Sequence, residues 1–315
     1  MSKNEVSDKE LSTIIPILQR LLLSDKQTRD RIQKMGLNIL PCNFYSSTPS
    51  IEEIENSFEY NTETPPYLNT KIFDDERFLQ TLDKLTQFSK EFNPPMDGDE
   101  VSCQRFFWKN TMFSHSDAMA YYCFIRLLKP AAIVEIGAGY STLVALEAAE
   151  KNGRGSITCI EPFPRNSLIN NKKINLHSII AQKIQPKFLN DLLQDGDILF
   201  IDSTHTVKSG SDCLHIYLRL LPEIKKNIYV HVHDVFLPFG LPKDWLLNHH
   251  LFWTEQYLLL AFLIDNPKAS LIYGSNYNAL RYSTQMKAFM EDKFSIGGGS
   301  VWFKYNGSDS NATQS

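Results

Sequence analysis

No Cys-x-x-Cys pair and no Cys/His run at zinc-binding spacing occurs in this sequence of 315 residues. Its five cysteines (Cys42, Cys103, Cys123, Cys159 and Cys213) are odd in number and widely scattered. That excludes a disulfide framework or a structural zinc cluster as the organising device, and leaves reduced, mostly buried thiols as the reading. Positive charge is not in excess either: the formal net charge is -4 and the pI about 6.1. The chain therefore has no global attraction for phosphate backbones, and nucleic acid is not an expected partner. The opening residues lack the basic-then-apolar layout of a signal peptide. The most apolar later stretch, Leu251 to Ile264, is too short to span a bilayer and contains Glu255. No membrane partner is expected, and the location expected is cytoplasmic. An apolar fraction of 43% and a charged fraction of 22% are ordinary for a soluble globular chain. This length suits one large domain or two.

What is present is organised around Ala131 to Leu146, A-A-I-V-E-I-G-A-G-Y-S-T-L-V-A-L. A short apolar run between Pro130 and Gly137 suits a strand buried on both faces. Apolar residues then recur at helical spacing through Leu143, Leu146 and Ala149. Between them lies a turn with Gly137 and Gly139, an arrangement in which backbone can approach a ligand at a helix N-terminus. The dinucleotide fingerprint requires a further glycine or alanine where Thr142 stands. Glu135, two residues before the first glycine, would oppose a phosphate but suits an ammonium group. Glu161 ends the next apolar run, Ser156 to Ile160, and is placed to accept hydrogen bonds from both hydroxyls of a ribose.

Glu135-x-Gly137-x-Gly139 followed by Glu161 resembles the nucleoside-binding half of class I S-adenosylmethionine-dependent methyltransferases. The resemblance implies a Rossmann-like α/β fold, a doubly wound and mostly parallel sheet, with S-adenosylmethionine as cofactor. It places Glu135 near the methionine end, the glycines beneath the cofactor and Glu161 on the ribose. Ser141, Thr142 and Asp202 join the candidate cofactor-binding residues.

Ser7 and Glu10 form a capping-box pattern ahead of Leu11, Ile14, Ile15, Leu18, Leu21 and Leu22, which predicts an amphipathic N-terminal helix ending before Gly36. Such a helix packs on its own domain or on a second subunit, so homo-oligomerisation stays open. Residues 37 to 72 read as an irregular segment with aromatic anchors in Asn43-Phe44-Tyr45-Ser46 and Pro65-Pro66-Tyr67. Asp74 to Phe92 reads as a helix stopped by Pro94 and Pro95. Phe113 to Leu128 reads as another, with Ser114 as its cap and Asp117 in its first turn. By the resemblance Phe113, Ser114 and Asp117 would touch the cofactor, though capping and core packing suit them equally. A third strand is expected at Ser178 to Ile184, a helix at Phe188 to Leu193, a fourth strand at Asp197 to Asp202, a helix at Gly210 to Leu220 and a fifth strand at Asn227 to Asp234. Alternating strands and helices predict a parallel doubly wound sheet, with ligands at the carboxyl ends of its strands. The expected division is a helical and irregular extension over 1–110, a methyltransferase domain over 111–305 and a disordered tail over 306–315.

Two further segments concentrate functional groups: Ile201-Asp202-Ser203-Thr204-His205 and His231-Val232-His233-Asp234-Val235-Phe236-Leu237-Pro238. With Phe252-Trp253-Thr254-Glu255-Gln256-Tyr257 they resemble bacterial methyltransferases of domain family 24, over roughly Gly36 to Trp302. The resemblance implies methyl transfer to a small acceptor, with a hydroxyl of a sugar or natural product as the expected target. A regulatory, non-catalytic nucleoside-binding protein that retains the fold is the competing reading. Asp202, His205, His233 and Asp234 are the candidate catalytic residues, while His231 reads as structural and Trp253 and Tyr257 as core or pocket wall. Catechol-type O-methyltransferases hold a divalent cation with an acid after the fourth strand and an Asp-Asn pair after the fifth. Asp202 and Asp234 match the acids, Val235 replaces the Asn, and His233 offers an imidazole instead. Asp202, Asp234 and His233 thus form a candidate site for Mg²⁺ or Mn²⁺. Without a metal, His205 or His233 would act as base directly.

Overall fold

The computed structural model describes residues 6–100, 103–113 and 115–308. The chain forms two compact units, residues 1–57 and 58–315. In the first, α1 (Asp8–Leu22) begins at Ser7, which accepts from the Glu10 backbone while the Glu10 carboxylate accepts from the Ser7 backbone, the capping box expected from the sequence. None of its residues is buried. It is followed by α2 (Lys26–Lys34), after which Gly36 takes a left-handed φ of 85°, and by α3 (Ile51–Glu55). Phe44 and Tyr45, expected as anchors, are 81% and 84% exposed and meet each other as a tilted pair at 4.2 Å. Tyr67, in the second unit, does anchor: it is half-buried and donates to Glu59 at 2.7 Å.

The second unit starts with α4 (Asp75–Ser89), which buries Phe78, Leu82 and Leu85 on one face. The helix α5 (His115–Leu128) is buried almost all round. Then follow β1 (Ala132–Ile136), α6 (Tyr140–Asn152), β2 (Ser156–Ile160), α7 (Asn166–Ile169), β3 (Ile174–His177), α8 (Pro186–Leu192), β4 (Ile198–Ile201), α9 (Asp212–His215, continued by a π-turn to Leu220) and β5 (Ile228–Val232). The C-terminal part adds α10 (Lys243–Asn248), α11 (Glu255–Leu263), β6 (Ala269–Gly274), α12 (Ser275–Arg281), α13 (Ser283–Phe289) and β7 (Val301–Tyr305). The proposed cap Ser114 lies outside the described residues, as does the tail beyond residue 308.

The strands form one seven-stranded sheet in the order β3-β2-β1-β4-β5-β7-β6. β7 runs antiparallel to β5 and β6, and the other pairings are parallel. This is the doubly wound, mostly parallel architecture expected of the class I methyltransferase fold. Alternation along each strand divides the core. Ile133, Ile198 and Phe200 face a layer with Tyr121, Phe124 and Trp302, while Val134, Leu199, Ile201, Val230 and Val232 face Leu189, Ile216, Leu220 and Leu259.

One strand lies earlier in the chain than its sequence pattern predicts. The expected third strand at Ser178 to Ile184 is a loop and a single 3₁₀ turn, and β3 lies just before it. Its residues alternate only weakly and none is fully buried, because β3 is the sheet's edge. Ala181 and Ile184 instead join the core layer of Val134, Leu189 and Ile216, with Ile179 packed against it. The fourth and fifth strands and their flanking helices fall where expected, within a few residues.

Candidate active site at the carboxyl edge of the sheet

Reversal of strand order between β1 and β4 opens a crevice at their carboxyl ends, the usual ligand position in such sheets. Gly137 leaves β1 with a left-handed φ of 86°, and a Cβ added there would lie 1.7 Å from the Asp202 carbonyl oxygen. Only glycine lets the turn pass so close to the tip of β4. Gly139 caps α6, and a Cβ there would meet nothing within 4 Å. The helix thus presents its N-terminus to open space. A cleft of about 370 Å³ lies there, lined at one end by Gly139, Tyr140, Ser141, Glu161 and Arg165 and at the other by Asp202, Ser203, Thr204, His205, Asp234 and Trp253.

Glu161 lies in the cleft. Its carboxylate accepts from the backbone N–H of Ala138 at 3.3 Å and of Phe163 at 2.8 Å, which holds it against the glycine turn. Glu135 and Thr142 do not line the cleft. Glu135 is completely buried beneath the turn, where Tyr121 donates to it at 2.9 Å and Thr142 and Cys159 also bond it. Burial pushes its carboxyl up to about 7, against the hydrogen bonds from Thr142 and Tyr121. Glu135 therefore braces the turn from below, and its carboxylate is turned towards α5 by the strand's alternation. Arg165, which sequence reasoning did not single out, lies over the Tyr140 ring at 4.6 Å at the cleft's edge. The E-P-F-P-R run after β2 was the only available signal.

At the far end the chain makes two left-handed bends. His205 has φ 56° and Asp234 φ 55°, conformations that cost a non-glycine residue about 1–2 kcal/mol. The first is held by the His205 carbonyl, which accepts from Thr254 at 2.8 Å and Glu255 at 3.0 Å. Beside the second, the Val235 N–H donates to Gly299 at 2.8 Å. These bends turn both side chains into the cleft, where straight strand geometry would have sent them elsewhere.

The result is a cluster with imidazoles between carboxylates. His233 Nδ1 is 3.3 Å from Asp202 Oδ1 and 3.7 Å from Asp234 Oδ2, and its Nε2 faces Asp117 at 3.6 Å. His205 Nε2 is 3.2 Å from Asp202 and 3.5 Å from Asp234, while its Nδ1 donates to Glu255 at 2.8 Å. Glu255 is itself fixed by the Tyr217 hydroxyl at 2.9 Å, and Asp117 by Ser275 at 2.7 Å and the Gly299 N–H at 2.9 Å. Burial opposes charge on His205, but the bonds to Asp202 and Glu255 outweigh it and raise the imidazole to about 10. For His233 burial is likewise outweighed by the Asp234 and Asp202 charges, and its pKa is raised well above the ordinary value. Burial alone would raise Asp202, yet the two imidazoles hold it far below the usual carboxylate range. Asp234 is raised, by burial foremost.

His231 is different: it is buried, stacks on Trp302 at 4.3 Å and bonds Ser300 Oγ through Nε2 at 2.8 Å. Burial drives its pKa well below the ordinary value, so it is a neutral core side chain.

Asp202, His233 and Asp234 can each offer a ligand atom within 4.8 Å of the others. Two carboxylates and an imidazole at this separation suit a divalent cation of the magnesium or manganese type. The geometry also brings His205 against the same carboxylates. Asp117 and Glu255, which stand behind the two imidazoles, come from α5 and α11; in the sequence Asp117 is visible only as a candidate cofactor contact and Glu255 only as part of the Phe252–Tyr257 motif.

Among the described residues no helix is long and apolar enough to cross a membrane. A family model described as "Methyltransferase domain" matches residues 134–235, which carry the glycine turn, Glu161 and both strand tips. An uncharacterised protein of Archaeoglobus fulgidus is 30% identical over 161 residues, covering 50% of this chain and 72% of that protein. Among solved structures, the O-methyltransferase from Bacillus cereus in complex with SAH is 13% identical, with a TM-score of 0.37, 72% of this chain and 90% of that chain covered. A plantazolicin methyltransferase in complex with SAH is 14% identical with a TM-score of 0.36, covering 94% and 98%. Both structures are distant likenesses. With the matched segment spanning the glycine turn and both strand tips, residues 134–235 of this chain form a methyltransferase domain of the Methyltransf_24 family.

Proposed function

We propose that the protein transfers the methyl group of S-adenosylmethionine to a hydroxyl oxygen of a small acceptor, with a divalent cation held by Asp202, His233 and Asp234. The observation that carries this reading is the convergence of those three donors, two of which, Asp202 and Asp234, line one end of a cleft whose other end is the Gly139–Ser141–Glu161 pocket, with the buried His233 behind them. Glu161, already fixed by two backbone donors, would hold the ribose, and the Gly139 turn would pass beneath the cofactor. The reaction is an in-line displacement, so holding the acceptor oxygen behind the methyl group is a large part of the catalysis. When bound, a divalent cation lowers the pKa of a coordinated hydroxyl and fixes its direction.

The residues of the chain do the rest. Asp202 and Asp234 draw the acceptor's hydroxyl to the cleft's end, and Asp117 and Glu255 orient His233 and His205. Thr204 steadies the tip of β4, its N–H and Oγ1 both donating to Asp212. The acceptor proton leaves through the imidazole–carboxylate cluster. A second, metal-free reading has one specific support. Glu255 occupies His205 Nδ1 and directs Nε2 towards Asp202 and Asp234 beside the cleft, where the imidazole would act as base once it has passed on the proton those carboxylates hold on it.

Methyl transfer from radiolabelled S-adenosylmethionine to a panel of hydroxylated acceptors, in chelator and after readdition of Mg²⁺ or Mn²⁺, separates the two readings. Activity lost in chelator and restored by either ion supports the metal site. Full activity in chelator would leave a histidine base as the mechanism.

A further inference from the structure

The cleft wall next to the acid–imidazole cluster is aromatic. Trp253 stands beside Asp202, His205 and Asp234, with its ring 4.5 Å from the His205 ring, and it is only partly buried. Trp245 meets Trp253 edge-on at 5.2 Å and 84°, and Phe236 meets Trp245 at 5.1 Å and 84°. Both are partly buried as well. Phe236 then lines a neighbouring cavity of about 380 Å³ with Tyr60, Phe239 and Lys243. By contrast Tyr121, Phe200 and Trp302 beneath the site are fully buried. A continuous row of large apolar rings left accessible beside carboxylates is the composition of a ligand wall rather than of a core or a solvated face.

We infer that this row is the acceptor platform. The acceptor is a ring-bearing molecule that lays a face on Trp253 and directs a ring hydroxyl at Asp202 and Asp234. Its substituent runs along Trp245 and Phe236 into the second cavity. The inference rests on the hydroxyl-methylation reading above and adds the acceptor's shape to it. An indole face is electron-rich and takes either the polarised C–H face of a pyranose ring or the face of an arene. Hydroxyls at the ring's edge then donate to the carboxylates in charge-assisted hydrogen bonds. An acyclic hydroxyl compound would satisfy the acids and leave the indole wet. Pyranosides and phenols share the required chemistry, and the arms of the test separate them.

The test uses the full chain saturated with S-adenosylhomocysteine and reads saturation transfer to ligand protons by NMR. The probes are methyl glucopyranoside, catechol and the phenyl-bearing counterpart of each. Saturation of the ring protons is expected for one short probe, and its phenyl-bearing counterpart should bind more tightly by about two- to tenfold, the scale of one aromatic contact. A glucoside response identifies the pyranoside source and a catechol response the phenol source. Trp253→Ala should abolish the response while S-adenosylhomocysteine still binds, and Trp253→Phe should restore part of it. Phe236→Leu should remove only the gain from the phenyl extension. If Trp253→Ala does not fold, Trp253→Leu, which keeps bulk without a π-face, carries the same comparison. No saturation of any probe, or a Trp253→Ala response equal to wild type, overturns the inference. Trp253-dependent binding with no methyl transferred in Mg²⁺ or Mn²⁺ would overturn the hydroxyl-methylation reading and leave the platform standing.

Discussion

The two glycines of the turn should fail in opposite ways when each is replaced by alanine. Gly137 has a left-handed φ of 86°, and its added Cβ would sit 1.7 Å from the Asp202 carbonyl oxygen. The left-handed conformation costs alanine about 1–2 kcal/mol. Relief of an overpacked contact against backbone costs about 1–3 kcal/mol more. Gly137→Ala should therefore lose roughly 2–5 kcal/mol, which for a unit of this size is a fall in Tm of roughly 4–20 °C. It also pushes on Asp202, so cation binding should weaken together with cofactor binding. Gly139 has an extended φ and a Cβ there meets no atom within 4 Å. Gly139→Ala should melt within about 1 kcal/mol of wild type. Its methyl group would nevertheless occupy space assigned to the cofactor, and S-adenosylhomocysteine affinity should fall by about 1–3 kcal/mol, as for any added group in a filled site. Differential scanning calorimetry and isothermal titration of both variants test the pair. A Gly137→Ala protein that melts with wild type would refute the close-approach argument. A Gly139→Ala protein with unchanged affinity would show that the ligand does not lie over the turn.

Glu161→Ala should weaken S-adenosylhomocysteine by about 1–3 kcal/mol, the cost of leaving polar partners unpaired, and unchanged titration of the folded variant would remove Glu161 from the site. Glu135 holds a proton up to about pH 7 in the fold against an ordinary 4.5, so the folded state binds more protons between those values. The stability this contributes is present below the unfolded pKa and lost as pH rises through 7, about 3 kcal/mol in all. Glu135→Gln should flatten that fall, and equal pH dependence in urea unfolding of the two proteins would contradict it. His233 is held protonated well above the usual imidazole range, so cation binding must displace its proton. Mn²⁺ affinity should still be rising with pH at 7 to 8, where an ordinary histidine would already be neutral. Titrations in buffers of different ionisation enthalpy should show net proton release, and none at all would take His233 out of the ligand set.

The alternation of apolar runs and helical stripes was legible because a doubly wound sheet imposes it locally: β1 and β4 are continuous buried runs, and the glycines and acids sit at their ends. The same locality made Gly137, Glu161, Asp202 and Asp234 readable as residues at the carboxyl ends of strands. The edge strand β3 was less legible, since a strand with one neighbour and little burial carries a weak pattern.

Other features were settled by tertiary structure. Glu135 follows a strand face that points it at Tyr121, fourteen residues earlier in the chain, so packing and not the motif sets its direction. The left-handed bends at His205 and Asp234 are unfavourable for those residues alone and persist because contacts with Thr254, Glu255 and Gly299 hold the chain around them. Asp117 and Glu255 reach the two imidazoles from α5 and α11, far away in sequence, and the aromatic row from Trp253 to Phe236 closes only when α10 packs between them. Sequence periodicity reports which residues must be buried and where strands end. Direction at a strand's tip depends on which distant side chains accept its hydrogen bonds and charges, and that is decided when the layers pack.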